Sequence, residues 1–270
     1  MANTPDSPYP ELPQVLREFA AGLRVELAED LVGAYLVGSL AVGDFDLDND
    51  VDFLVVTRKE LADATVRALQ AMHVRVHGMG CYPAAHLEGS YFPQGMLNQA
   101  EAVGTELVWY LDNGSTTFER STHCNQWHTR WVLRERGVVL AGPNPSEIVA
   151  PVPAPAMQRE AVATLRLTLD GFVAAIASPL SFWNSRFGQA FAVLNSCRVL
   201  HTHRTGTVLS KRAGATWAKQ TLDRTWTGLI DQAWAEREGV RHCIKIRQRA
   251  DDRALQETLA FLEYLAGEAR

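Results

Sequence analysis

Residues 35–56 read YLVGSLAVGDFDLDNDVDFLVV, and the fold follows from this stretch. Tyr35, Leu36 and Val37 form an apolar run that stops at Gly38-Ser39. Asp50 and Asp52 come ten residues later, followed by a second apolar run, Phe53 to Val56. Side chains two apart on a strand share a face, so Asp50 and Asp52 aim the same way, with backbones about 6.5–7 Å apart. Val51, Phe53 and Val55 take the other face, and Leu54 and Val56 continue below the acids. Apolar residues on both faces imply a strand covered on both sides, with the acids at the rim where it emerges. Two like charges there repel by about 2–3 kcal/mol at an effective dielectric near 20. A divalent cation converts that repulsion into affinity, and hard carboxylate oxygens suit Mg²⁺. The simpler alternative is a solvated acidic turn, since Asp44, Asp46, Asp48 and Asn49 precede the pair. An EF-hand is excluded: Asn49 stands where that loop requires glycine, and Val55 where it requires a bidentate glutamate.

Glycine at position 38 lets the backbone approach a ligand closely. Ser39 opens a short helical turn whose free N–H groups suit an anion. A phosphate seat facing paired carboxylates is an assembly for phosphoryl or nucleotidyl transfer.

Composition agrees with a soluble globular chain. The 270 residues suffice for one or two domains, and 47% hydrophobic with 21% charged residues is ordinary for a globular protein. A net charge of −5 argues against broad nucleic-acid binding. The start, MANTPDSPYPELP, carries no basic or apolar export signal, and no apolar run reaches bilayer length, so a cytoplasmic location away from membranes is expected. Cys81, Cys124, Cys197 and Cys243 lack paired spacing and read as reduced thiols. His123-Cys124 with His128 resembles half a zinc site, but no second ligand pair follows at finger spacing, so a structural role is favoured.

Along the chain, Val15, Phe19, Leu23 and Leu27 predict an amphipathic helix ending near Glu29. Residues 60–71 predict a second helix, the alternation at 73–80 a short strand, and 86–92 another strand before Pro93. Trp109 and Tyr110 could stack on a substrate ring, whereas Trp127 and Trp131, at i and i+4, read as core. The five prolines of residues 142–156 forbid regular structure there and mark a domain boundary. Beyond it, 157–177, 183–204, 210–222, 226–238 and 251–268 read as helices. The fold class expected is α+β: a mixed-sheet domain over 1–150, then an all-helical domain over 151–270. Ser210 should cap a helix with Lys211 and Arg212 in its first turn, where the macrodipole disfavours cations unless an anion is bound. The alternative is a solvated basic turn, and the later run Arg237, Arg241, Lys245, Arg247 and Arg249 also reads as a solvated face.

Gly38-Ser39-x10-Asp50-x-Asp52 resembles the signature of polymerase-β-type nucleotidyltransferases. With Glu88 on its strand, WVLRERGVVLAGP (131–143) and LNSCRVLHTHRTGTVLSKRAGATWA (194–218), the chain resembles the streptomycin/spectinomycin-type aminoglycoside adenylyltransferases over residues 30–265. The resemblance implies that Gly38 and Ser39 hold the triphosphate of ATP. It implies Asp50 and Asp52 as Mg²⁺ ligands, with Glu88 as third acid of that site and general base on an acceptor hydroxyl. Arg198 and Lys211 would reach the phosphates from the helical domain, and Trp109 and Trp183 would contact the acceptor. The expected partner is a small hydroxylated molecule, not nucleic acid or membrane, and the chain is expected to act as a monomer. One departure bears on the acceptor: SPLSFWNSRFGQAF (178–191) carries Arg186 and no acid where dual-specificity members hold the cationic drug with acidic residues. A non-antibiotic metabolite, a protein side chain, or a nucleotide-binding role without turnover are the alternatives.

Overall fold

The computed structural model describes residues 7–176, 178, 180–238 and 248–269. They form two compact units, 1–152 and 153–270, divided within the proline-rich stretch. The class is α+β, a six-stranded mixed sheet with helices followed, among the described residues, by a helical unit.

In the first unit, helix α1 (Leu12–Leu27) leads to β1 (Leu31–Leu36), the short turn α2 (Gly38–Ala41) and β2 (Val51–Thr57). Helix α3 (Asp63–His77) and the turn α4 (Tyr82–Ala85) precede β3 (Leu87–Pro93), β4 (Val108–Leu111) and β5 (Phe118–Ser121). Helix α5 (Trp127–Arg136), β6 (Val138–Ala141) and the turn α6 (Pro145–Ile148) close the unit. The strand order is β5-β4-β3-β2-β1-β6, with β2 and β3 parallel and the other pairs antiparallel. On one face, Val51, Phe53 and Val55 of β2 join Leu87, Tyr91 and Leu111 against Leu12, Phe19 and Leu23 of α1 and Leu69 and Met72 of α3. Each fully buried leucine or phenylalanine here contributes about 1.5–3 kcal/mol.

Two local expectations are overturned. Residues 73–77 are not a strand but the last turns of α3, because Val66, Leu69, Met72, His73 and Val76 recur at helical spacing and are all buried. Of the two valines that suggest alternation, Val76 is buried and Val74 is 54% accessible, so they do not share one strand face. Nor do the prolines exclude all regular structure: Pro145 occupies the first position of α6, where no N–H is needed, and Asn144 and Glu147 complete a capping box.

The second unit holds α7 (Ala154–Ile176), α8 (Arg186–Thr205), α9 (Lys211–Thr221), α10 (Thr227–Arg237) and α11 (Asp252–Glu268). Ser185, Ser210 and Asp251 each cap the helix that follows by accepting backbone N–H bonds. Helix α8 is the central one: its Val193, Leu194, Cys197 and Leu200 pack with Leu165, Ala218, Ile230 and Phe261 of the four others. Of the basic run, Arg237 is buried against Trp234 rather than solvated, and Arg249 pairs with Asp252. Arg241, Lys245, Arg247 and Cys243 lie outside the described residues.

Candidate active site

The parallel register of β2 with β3 sets Asp52 directly beside Glu88, so their side chains leave the same face of the sheet. Asp50, two residues before Asp52, lies at the entry to β2. The three acids therefore share one rim, on the face opposite α1 and α3.

Gly38 stands at the end of β1 with a φ of +58°, a left-handed conformation that favours glycine. A Cβ there would lie 1.9 Å from Asp52 Oδ2 and 2.8 Å from Asp52 Cβ. The missing side chain is thus the space that the Asp52 carboxylate occupies. Ser39 follows in α2 with its hydroxyl buried and, among the described residues, without a hydrogen-bond partner. A buried polar atom without a partner costs about 1–3 kcal/mol, which a ligand oxygen would recover. The acids of the preceding loop serve the loop itself: Asp46 Oδ1 accepts from the Asp48 N–H, Asn49 Oδ1 accepts from the Asp46 N–H, and Asp48 is buried.

Three acids on one cation are not what the structure holds. Among the described residues there is no group of three or more His, Cys, Asp or Glu side chains placed to bind a metal ion. Glu88 has partners of its own. Its Oε1 accepts from the Tyr110 hydroxyl at 2.6 Å and lies 3.5 Å from His123 Nε2, two groups that suit a base better than a metal ligand. Asp50 and Asp52 remain as the pair, and Mg²⁺ is commonly held by one or two carboxylates together with substrate phosphates.

Around Glu88 and Asp50 the structure gathers Tyr110, read from the sequence as a stacking residue, His123 and Cys124, read as half a zinc site, and Asp112 and Asn113, which the sequence did not single out. Tyr110 donates to Glu88 and also lies 3.0 Å from Asp112 Oδ1. Burial, then the hydrogen bond and charge of Glu88, holds its phenol far above the usual range. The hydrogen bond to Glu88 raises His123 against the opposing effect of burial, and the charges of Glu88, Asp112 and Asp52 add to it. Burial pushes the Cys124 thiol up to about 12, with smaller contributions from Glu88 and Asp52. Asn113 donates from Nδ2 to Asp50 Oδ1 at 2.6 Å, and its Oδ1 meets His86 Nδ1 at 2.6 Å.

Trp109 is not on this face. It pairs with Tyr91 in the antiparallel β3/β4 ladder, points to the α1/α3 side and packs against the core there, with the Arg120 guanidinium over its ring. Strand alternation puts its neighbour Tyr110 beside Glu88 instead.

In the second unit, Arg198 donates from Nε to Asn195 Oδ1 within α8. Lys211, in the first turn of α9, has its ammonium 5.1 Å from the centre of the Phe191 ring, and Arg212 stacks on Trp234. These π faces compensate cations that the helix start disfavours. Gly214, one turn on from Lys211, packs on the backbone of Arg198, so the elements carrying the two cations adjoin. Trp183 belongs to an aromatic group with Phe172, Phe182 and Phe191. Arg186 is held by both carboxylate oxygens of Glu236 and by Gln248.

Residues 148–265 match the family model for the aminoglycoside adenylyltransferase C-terminal domain. A spectinomycin 9-adenylyltransferase of Campylobacter jejuni is 20% identical over 235 residues, spanning 83% of this chain and 84% of that protein. A spectinomycin adenyltransferase of Enterococcus faecialis, crystallised with ATP and spectinomycin, superposes with a TM-score of 0.67 at 15% identity, covering 94% of this chain and 99% of the other. Described helices include none long and apolar enough to cross a membrane.

Proposed function

We propose, from the premise that this chain belongs to the aminoglycoside adenylyltransferase family, that it transfers AMP from ATP to a hydroxyl of a small aminocyclitol or aminoglycoside and releases pyrophosphate. The observation that carries the reading is the placement of Asp52 and Glu88 side by side next to a glycine-serine turn with an unsatisfied serine hydroxyl.

Ser39 binds a phosphate oxygen of ATP, and Gly38 keeps the backbone clear for it. Asp50 and Asp52 would hold Mg²⁺, which would supply charge neutralisation to the phosphates. Glu88 accepts the proton of the attacking hydroxyl, and its carboxylate is oriented for that by Tyr110 and His123, both at Oε1. Arg198 and Lys211 are the second unit's candidates for binding anionic phosphate, and Trp183 its candidate for an aromatic contact with an acceptor. The pairing of Arg186 with Glu236 balances the charge of Arg186 within the unit, although residues 178–191 themselves supply no acid to a cationic acceptor. The relatives named for spectinomycin make that aminocyclitol the first acceptor to try.

Mass spectrometry of spectinomycin and streptomycin incubated with the protein, ATP and Mg²⁺ tests the proposal. One added AMP is expected, and none on either compound or on a wider panel overturns it. Asp52→Asn should abolish pyrophosphate release with the fold intact. Glu88→Gln should lower turnover while ATP affinity survives, and full activity in that variant would remove Glu88 as base.

A further inference from the structure

We propose that residues 110–113, the end of β4 and the turn after it, act as a positioning segment: Tyr110 aims the Glu88 carboxylate and Asn113 aims that of Asp50. The inference rests on the reading of those acids as base and metal ligand, and it concerns what orients them.

The two contacts are independent and come from one short piece of chain. Tyr110 is buried on the acid face beside Ser90, and its single hydroxyl hydrogen has two carboxylate acceptors in reach, Glu88 at 2.6 Å and Asp112 at 3.0 Å. The shorter contact directs the hydrogen to Glu88, since bonds to ionised acceptors are stronger when short. Asp112 is exposed and serves as the alternative acceptor. Three residues after Tyr110, the Asn113 amide is oriented by chemistry alone. A carboxylate only accepts, so Nδ2 faces Asp50 and Oδ1 faces His86, whose Nδ1 must then carry the hydrogen. His86 stacks at 4.1 Å on Tyr82, which stacks at 4.8 Å on Tyr9. Asn113 is thus anchored to the packed body of the unit rather than riding on a free turn.

Carboxylates leaving a strand end have two rotatable side-chain bonds in aspartate and three in glutamate. In-line transfer needs reacting groups within a fraction of an ångström, so donors that lock a rotamer contribute rate without touching substrate. Tyr110 and Asn113 are positioning residues in this sense, and they separate by acid: one affects proton removal and the other the metal.

The test uses full-length Tyr110→Phe and Asn113→Ala, with spectinomycin as acceptor. Tyr110→Phe should lower kcat about ten-fold or more, the scale of one hydrogen bond to a charged group, with the KM for ATP within about two-fold. Asn113→Ala should weaken Mn²⁺ binding, measured by calorimetry on the ATP-bound protein, by a similar factor, whereas Tyr110→Phe leaves that binding unchanged. A purely structural role would lower the melting temperature and disturb both readouts in both variants. Unchanged kcat in Tyr110→Phe, or unchanged Mn²⁺ affinity in Asn113→Ala, overturns the respective half. If the wild-type protein modifies no acceptor, the proposed function fails while two readouts still decide this inference. These are the calorimetry and a crystal structure of Tyr110→Phe, in which Glu88 should have left its present rotamer; an unmoved Glu88 refutes the assignment.

Discussion

Replacing Gly38 with alanine would set a methyl group 1.9 Å from Asp52 Oδ2 and 2.5 Å from Asp52 Cγ. Ordinary contact begins near 3.4 Å, so the carboxylate would have to retreat by about 1.5 Å or turn to another rotamer. A displacement of about 1 Å at a reacting centre costs about 100-fold in rate. The substitution also carries a backbone cost, because φ is +58° and alanine in the left-handed region is disfavoured by about 1–2 kcal/mol. Gly43 supplies the control: its φ is +73°, but nothing lies within 4 Å of where its Cβ would be. The two alanine variants should therefore melt a few degrees below wild type to a similar extent, at about 2–4 °C per kcal/mol. They should part company in activity. Pyrophosphate release with ATP, Mg²⁺ and spectinomycin is expected to drop at least about 100-fold in Gly38→Ala and to stay within about three-fold of wild type in Gly43→Ala. A Gly38→Ala protein with near-normal turnover would refute the claim that this glycine makes room for Asp52. Equal inactivation of the two would show that strain, not the clash, is what matters.

Other consequences follow from single contacts. His73 is buried in the core of the first unit against Tyr91, and burial holds it down to about 3, so it stays neutral when folded and takes up a proton on unfolding only below about pH 6.5. Its folded value is depressed, so the stability it supports is complete above about pH 6.5 and is lost as pH falls towards 3, at about 1 kcal/mol per pH unit. Urea unfolding at pH 7 and pH 4.5 should show that slope for wild type, and a His73→Gln protein should flatten it. In the second unit, a Cβ at Gly214 would lie 2.7 Å from Arg198 Cβ and 2.9 Å from its Cα, so Gly214→Val forces α8 and α9 apart. A loss of about 1–3 kcal/mol in chemical denaturation is expected, and none would mean the helices repack freely. Arg186→Met breaks a partly exposed bidentate pair with Glu236, and the unit should lose about 1 kcal/mol in the same assay.

The residues themselves determined a good deal. The spacing of Gly38-Ser39 to Asp50 and Asp52 follows from strand alternation and glycine geometry, both local rules, and so does the buried character of Phe53 to Val56. The five long helices of the second unit were legible for the same reason: caps such as Ser210 and Asp251, and apolar residues three and four apart, act within a few residues of one another. Local rules misled at His73 to His77, where an exposed valine and flanking polar residues imitate strand alternation until the buried face of α3 is seen.

What needed the tertiary structure is everything that depends on which strand lies next to which. Glu88 is an ordinary strand glutamate until β3 runs parallel to β2 and sets it beside Asp52. The same pairing decides between two adjacent aromatic residues: Trp109 is the more conspicuous in the sequence, yet the β3/β4 register sends it to the core and turns Tyr110 to the acids. The bond from Asn113 to Asp50 spans 63 residues and leaves no trace in composition or period. Strand identity is written locally, but register is settled by long-range pairing and by which face can be buried, and the contents of a site follow from register.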